Sequence, residues 1–137
     1  MRTRGGPPWT AASAVVLALA TVACGGKDSG GPGTGGATCT PHGTTIQETA
    51  KNIAFASTCL AAPANQDFTI VFDNQDPAIP HDIHLFSDPA MRASIFAGAL
   101  VTGPKSVTYQ VKGLPPGTYH FDCDVHPTQM VGVLVVR

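Results

Sequence analysis

Large apolar residues recur at every second position in several short stretches of the second half of this chain. The clearest stretch reads Phe-Thr-Ile-Val-Phe-Asp, so Phe68, Ile70 and Phe72 fall on one face of a predicted strand. Similar stretches, rich in β-branched and aromatic residues, predict further strands at residues 46–55, 81–86, 105–111, 118–123 and 131–136.

Turn-forming residues separate these predicted strands. Asn-Gln-Asp-Pro at 74–77 and Lys-Gly-Leu-Pro-Pro-Gly at 112–117 both break the alternation. Only residues 88–99 have a helical pattern, and Pro89 and Gly98 bound that segment closely. Regularly spaced strands with such turns are typical of an antiparallel sandwich or a small barrel. We therefore predict an all-β fold.

The beginning of the chain has a different pattern. Arg2 and Arg4 precede an apolar run at 11–23, which ends in small residues before Cys24. This combination describes an export signal, and the run is shorter than the ~20 residues of a membrane-spanning helix. We therefore expect residues 1–23 to be a removable signal peptide. Cys24 stands where a bacterial lipobox has its lipidated cysteine, and a signal cut without lipidation is the alternative.

Half of residues 24–37 are glycine, and most of the others are small or polar. Such a stretch has no apolar surface to bury and behaves as a flexible tether. Behind a lipidated Cys24 it would hold a folded domain near a membrane, so we expect a membrane-anchored lipoprotein that faces the periplasm or the cell exterior. Residues 38–137 then form the domain, because about 100 residues suffice for one compact domain and not for two.

The charge of the chain excludes one class of partner. The formal net charge is −1, with 8 Lys and Arg against 9 Asp and Glu. The sequence contains no cluster of basic residues that could hold phosphates, so nucleic acid binding has no support.

The four cysteines differ in their surroundings. Apart from Cys24 and Cys123, the chain has Cys39 and Cys59, for which export to an oxidising compartment predicts a disulfide bond. Cys39 also begins a Cys-Thr-Pro-His stretch, so a second metal site with His42 is the alternative. That stretch follows a glycine-rich tether rather than a strand and has no methionine after the histidine. The disulfide is therefore the favoured prediction.

One short loop between two predicted strands contains a thiol, an imidazole and a thioether, from Cys123, His126 and Met130. This mixture of ligands suits a soft, redox-active metal, above all copper. By strand parity Cys123 shares the core face with two aromatic residues at alternate positions. The thiol is therefore expected to point inward where the strand ends.

The sequence Pro-His-Asp-Ile-His, upstream of this loop, offers a further ligand. In a regular strand His81 shares one face with the aliphatic Ile83 and Leu85, whereas His84 lies on the other face. The aliphatic residues mark the core face, so His81 is the predicted inward ligand. His84, which shares its face with Phe86, stays as the alternative.

Four stretches carry a resemblance to a known family. They are Val-Phe-Asp-Asn-Gln-Asp, Pro-His-Asp, Gly-Thr-Tyr leading to Cys123, and Cys-x₂-His-Pro-x₂-Met-x-Gly. From about residue 46 onward the chain resembles a cupredoxin, a small blue-copper protein of the plastocyanin and amicyanin type. The resemblance implies a Greek-key β-sandwich or barrel of about seven to eight strands. It also implies one type 1 copper per chain, with His81, Cys123 and His126 as equatorial ligands and Met130 as the weak axial ligand.

Two residues depart from the plastocyanin pattern. Asp82 stands where the residue after the first ligand histidine is usually Asn, whose side chain braces the ligand loop. Asp122 stands where plastocyanin has a Tyr that serves as a remote electron exit. We therefore expect a charged or protonated brace, and the exposed edge of His126 as the electron path. The apolar rim expected to dock partners there consists of Ile79, Pro80, Val125 and Pro127.

The resemblance implies electron transfer rather than catalysis. We expect a monomer that shuttles single electrons between redox proteins of the cell envelope, such as cytochromes or oxidases. A multicopper oxidase or nitrite reductase needs further copper centres built largely from histidines, and this chain has 5 histidines in all. The alternatives are copper delivery or storage, and a domain of a copper oxidoreductase complex. A zinc site of one Cys and two His would leave Met130 without a role.

Overall fold

The structure, a computed structural model, describes residues 39–137. The predicted signal peptide, the lipidation of Cys24 and the tether lie outside these residues. The described part contains no helix and ten strands. In chain order they are β1 (Thr45–Ala50), β2 (Cys59–Ala62), β3 (Phe68–Asn74), β4 (Pro80–His81), β5 (His84–Phe86), β6 (Ser94–Ala97), β7 (Val101–Thr102), β8 (Lys105–Val111), β9 (Gly117–Asp122) and β10 (Val131–Val136).

Two sheets hold most of these strands. A three-stranded sheet has the order β1-β3-β8, and a five-stranded sheet has the order β2-β10-β9-β5-β6. The short strands β4 and β7 form a separate pair. Without β4 and β7, which have two residues each, the described part has eight strands, in agreement with the expected seven to eight. The prediction of an all-β sandwich is confirmed.

The pairing is not purely antiparallel. Strand β1 pairs with β3 in parallel, and β2 pairs with β10 in parallel, whereas the other ladders are antiparallel. In both parallel pairs other strands come between the two partners along the chain. The connection is therefore long enough for the second strand to run in the same direction as the first.

The core lies between the two larger sheets. Burial alternates through all of β3, and Phe68, Ile70 and Phe72 are its fully buried apolar residues, as the sequence pattern predicted. The ring of Phe55 contacts Phe72 and, from the other sheet, Phe121, with centroid distances of 6.3 and 5.2 Å. These edge-to-face contacts join the two sheets.

The helical pattern of residues 88–99 is not realised. The carboxylate of Asp88 accepts hydrogen bonds from the backbone N–H groups of Ala90, Arg92 and Ala93, at 3.0, 3.0 and 2.7 Å. An aspartate that binds nearby backbone groups in this way competes with the helix ladder. The chain turns and continues as β6, which pairs with β5.

The single strand expected at residues 81–86 is split into β4 and β5. Strand β4 pairs with β7, whereas β5 pairs with β6 and β9. The break at Asp82 and Ile83 therefore lets one short segment join two different ladders. His81 is held by the first ladder and His84 by the second.

Cys39 and Cys59 are joined by a disulfide bond, which confirms the predicted pairing. The bond links the segment before β1 to the first residue of β2. Both thiols are therefore used, and the alternative metal site with His42 is excluded. Within the described residues, no helix has the length and apolar character needed to cross a membrane.

Candidate metal centre

The predicted ligands come from the ends of strands. His81 is the last residue of β4, where it pairs with Val101 of β7. Cys123 directly follows β9, and His126 and Met130 lie in the loop that leads to β10. The structure therefore brings residues that are 42 positions apart to one end of the sandwich.

Backbone hydrogen bonds close the loop of residues 123–130 on itself. The N–H of Cys123 donates to the carbonyl of Met130 at 3.1 Å, and the N–H of Met130 donates to the carbonyl of His126 at 3.0 Å. The N–H of His126 in turn donates to the carbonyl of Cys123 at 2.9 Å. These hydrogen bonds thus fix the main-chain positions of the three residues.

Three ligand atoms converge in the space between this loop and β4. The Sγ atom of Cys123 lies 3.6 Å from Nδ1 of His81 and 3.8 Å from Nδ1 of His126. The three atoms all lie within 4.8 Å of one another. Cys123 and His81 are fully buried, whereas His126 is half-buried. The arrangement can hold one metal ion that is shielded from water on the protein side.

Met130 is also buried at this end of the sandwich. Its side chain belongs to the same apolar cluster as Cys123 and Phe121. A buried thioether beside a thiol and two imidazoles is the donor set expected for a soft metal. The structure thus places all four predicted ligands together, and their binding to a metal stays a prediction.

Asp76 orients His81. Its Oδ2 atom lies 3.0 Å from Nε2 of the imidazole, and both side chains are buried. A carboxylate requires a donor at that nitrogen, so Nε2 carries the proton and the lone pair of Nδ1 points toward Cys123. This carboxylate–histidine pair sets the tautomer that a metal needs.

Asp76 is itself held by a tight turn. Its carboxylate accepts hydrogen bonds from the backbone N–H groups of Asn52 at 2.6 Å and Ile53 at 2.9 Å. Both residues have a φ of 56°, a conformation that a β-branched residue such as Ile53 rarely adopts. The hydrogen bonds from Ile53, Asn52 and His81 hold the pKa of Asp76 below its usual value. Asp76 is therefore ionised at neutral pH, beside the predicted ligand His81.

Asp82 braces the ligand loop, as the resemblance implied for this position. Its Oδ1 atom accepts the backbone N–H of Asp124 at 2.9 Å, and the side chain is fully buried. Burial raises the pKa of Asp82, and the N–H of Asp124 opposes that effect. The Oδ2 atom has no hydrogen-bond partner among the described residues.

Two backbone N–H groups face the sulfur of Cys123. Burial raises the pKa of the Cys123 thiol, and hydrogen bonds from the N–H groups of Asp82 and Val125 oppose this rise. Donors aimed at the sulfur stabilise a thiolate, the form that binds a metal. The two N–H groups thus offset part of the cost that burial adds to forming the thiolate.

His84 does not join this centre. Its Nδ1 atom lies 2.7 Å from Asp124 and its Nε2 atom 2.7 Å from the hydroxyl of Ser94. The structure therefore places His81, and not His84, beside Cys123. Asp122 shares the outer face of the sheet with His84, its partner in the β5–β9 ladder, yet it is buried.

Sequence reasoning missed Asp76 as a functional residue. The sequence around it indicates a break between strands and contributes to the family resemblance, but neither observation assigns a role to Asp76 itself. An acidic residue five positions before a predicted ligand histidine is the available signal, but its contacts depend on a turn more than twenty residues away. The backbone donors to Cys123 left no signal in the sequence.

The donor set fits copper better than the other common metals. A thiolate, two imidazoles and a thioether are the ligands of blue-copper sites, whereas structural zinc sites use only Cys, His and carboxylates. Calcium and magnesium prefer oxygen ligands, and none of the four side chains offers one.

The chain is similar to known blue-copper proteins in sequence profile and in structure. The profile of the family described as "Cupredoxin-like domain" matches residues 13–136. Auracyanin from the photosynthetic bacterium Roseiflexus castenholzii is 24% identical, with 69% of this chain and 97% of that chain covered and a TM-score of 0.60. Auracyanin A, a "blue" copper protein from Chloroflexus aurantiacus, is 25% identical, with 68% and 98% covered and a TM-score of 0.59.

A reduced amicyanin variant is 21% identical, with 69% of this chain and 83% of that chain covered and a TM-score of 0.52. No curated protein matches the chain. The family profile spans most of the sequence, and the predicted resemblance is thereby confirmed. The chain belongs to the cupredoxin-like family.

Proposed function

We propose that this chain binds one type 1 copper ion through His81, Cys123, His126 and Met130 and carries single electrons between redox proteins of the cell envelope. The observation that carries the proposal is the convergence of one thiol and two imidazole nitrogens within 4.8 Å. Bound copper supplies a one-electron couple between Cu(II) and Cu(I). The similar fold of auracyanin A, a blue-copper protein, supports the same chemistry.

The protein holds each ligand without help from the metal. Asp76 and the β4–β7 ladder fix His81, the end of β9 fixes Cys123, and the closed loop fixes His126. Ligands that keep their positions in both oxidation states reduce the rearrangement that accompanies electron transfer. This rigidity favours an electron carrier over a delivery protein, which would need open and exchangeable ligands.

Electrons would enter and leave at the edge of His126. Of the four predicted ligands, this residue alone is partly exposed. Its neighbours Val125, which is 41% exposed, and Pro127 are apolar and face solvent, whereas Ile79 and Pro80 of the predicted rim are half-buried. A small apolar surface around the exit suits weak, transient docking.

The proposed partners are cytochromes or oxidases of the envelope. The support for this location comes from the export signal and from Cys24, which would anchor the protein to a membrane. Oxidase chemistry in the chain itself would need a second copper centre. In the described part of the chain, the other candidate metal cluster contains one histidine and two aspartates, which does not resemble such a centre.

Voltammetry of the copper-loaded full chain tests the proposal. We expect a reversible one-electron wave that keeps its amplitude over repeated cycles in the presence of a Cu(I) chelator. Loss of copper to the chelator during each reduction would instead identify a copper delivery protein.

The proposed electron path through the edge of His126 is tested by electron self-exchange between two copies of the protein, measured by NMR line broadening. Val125→Asp places a charge beside His126 on both copies, so the exchange rate should fall about tenfold through repulsion. Ile95→Asp is the matched control, because Ile95 is 39% exposed and lies on β6. Equal rates for the two variants would contradict the proposed exit.

A further inference from the structure

A second group of potential ligands lies where β5 meets β9. His84 and Asp122 are direct partners in this ladder, so their side chains share one face of the sheet. Asp124 follows two positions after Asp122. A nitrogen of His84 and one oxygen from each carboxylate all lie within 4.8 Å of one another.

The imidazole of His84 is fixed in place. Its Nδ1 atom lies 2.7 Å from Oδ1 of Asp124, and its Nε2 atom lies 2.7 Å from Oγ of Ser94. Its ring stacks on Phe86, with a centroid distance of 4.1 Å and an angle of 26° between the planes. Three neighbours therefore hold one face and both nitrogens of the ring.

Asp122 lacks a partner that would balance its burial. It is 6% exposed, and its Oδ1 atom is buried without a hydrogen-bond partner among residues 39–137. Burying an unpaired carboxylate oxygen is costly. Within the described residues no Lys or Arg forms an ion pair with Asp122 or Asp124, since the only such pair joins Lys112 to Asp67.

We propose that His84, Asp122 and Asp124 bind a divalent cation of the zinc class at a site separate from the thiol-containing centre. One imidazole nitrogen and two carboxylate oxygens are ligands that Zn²⁺ accepts, with water in the fourth position. The absence of a thiol or thioether disfavours Cu(I).

The surroundings of the three residues suit this role. In the structure Nδ1 donates its proton to the carboxylate of Asp124, and with Nδ1 bound to a cation the ring proton would move to Nε2, where the hydroxyl of Ser94 can accept it. The cation would replace the hydrogen bond between His84 and Asp124 and would neutralise the buried oxygen of Asp122. The side chain of Asp124 is 47% exposed, so an ion can reach the site from solvent.

Isothermal titration of the copper-loaded full chain with Zn²⁺ tests the proposal, because copper then occupies the other centre. We expect one saturable Zn²⁺ per chain, with the visible absorption of the copper centre retained. His84→Gln and Asp124→Asn should each weaken binding at least about tenfold, or 1.4 kcal/mol. His42→Gln, at an exposed histidine, is the matched control and should bind Zn²⁺ like the unchanged protein.

A second measurement guards against variants that fail to fold. In nitrogen-15 NMR spectra of the unchanged protein, Zn²⁺ should shift the Nδ1 signal of His84 much more than that of His42 or His120. No bound Zn²⁺, or binding that is unaffected by His84→Gln, would overturn the proposal and leave His84 and Asp124 as a hydrogen-bonded pair only.

Discussion

Replacing Asp76 by alanine removes one carboxylate that three donors share. His81 is fully buried, and the loss of the acceptor for its Nε2–H leaves an unpaired donor that costs about 1–3 kcal/mol. The N–H groups of Asn52 and Ile53 also lose their acceptor, at about 1 kcal/mol each, in a turn whose φ angles are already unfavourable. We therefore expect Asp76→Ala to lower the free energy of unfolding by about 3–5 kcal/mol.

Urea denaturation of the protein without added copper measures this loss. Asp73→Ala is the matched control, because Asp73, on β3, lies only three residues before Asp76 and also accepts two hydrogen bonds, from Ser106 at 2.6 Å and Gln75 at 2.8 Å. Those bonds are exposed, so water can replace them, and the control should lose much less stability. Equal losses for the two variants would refute the idea that Asp76 organises the buried histidine and the turn.

Three further predictions concern stability. Gly132→Ala should cost about 1–3 kcal/mol in urea denaturation, because its Cβ would overlap the ring of Phe121; an unchanged midpoint would contradict this packing. Burial raises the pKa of Glu48 above 4.5, so the folded state binds its proton more tightly than the unfolded chain does. The free energy of unfolding should therefore fall as the pH rises from 4.5 through the raised pKa. Urea denaturation across this pH range should show a smaller fall for Glu48→Gln, and the same pH dependence in the variant would contradict the prediction. Reduction of the disulfide bond between Cys39 and Cys59, which are 20 residues apart, should lower the free energy of unfolding by about 3 kcal/mol. A loss near zero in calorimetry would contradict this loop-closure estimate.

Alternation along the chain predicted those strands that have one core face. Burial in β3 alternates at every residue, so the sequence and the structure agree there. The segment 81–86 shows the limit of the same reasoning. His81, Ile83 and Leu85 are all fully buried, as parity predicted, but Asp82 is fully buried too because the strand breaks at that point.

Long-range contacts could not be predicted from the sequence, for a physical reason. The role of Asp76 depends on the backbone N–H groups of a distant turn, and backbone groups are the same in every residue. The helical pattern of residues 88–99 forms no helix, because the pattern of side chains does not show that Asp88 binds its own downstream backbone. The parallel pairing of β1 with β3 likewise follows from the whole topology.

More of the candidate metal centre than of the long-range contacts could be predicted, because its ligand types are rare in combination. A thiol, an imidazole and a thioether in one short loop indicate a soft metal before any fold is known. The structure added the close approach of His81, the backbone donors to Cys123, and the second cluster around His84.

The absorption spectrum of the full chain loaded with one Cu(II) tests the central claim most directly. The arrangement of Cys123 with His81 and His126 predicts an intense blue or green colour from the copper–thiolate bond. Cys123→Ser should abolish the colour, whereas His84→Gln should keep it. A colourless protein with one bound copper ion per chain would contradict the assignment of a type 1 copper centre.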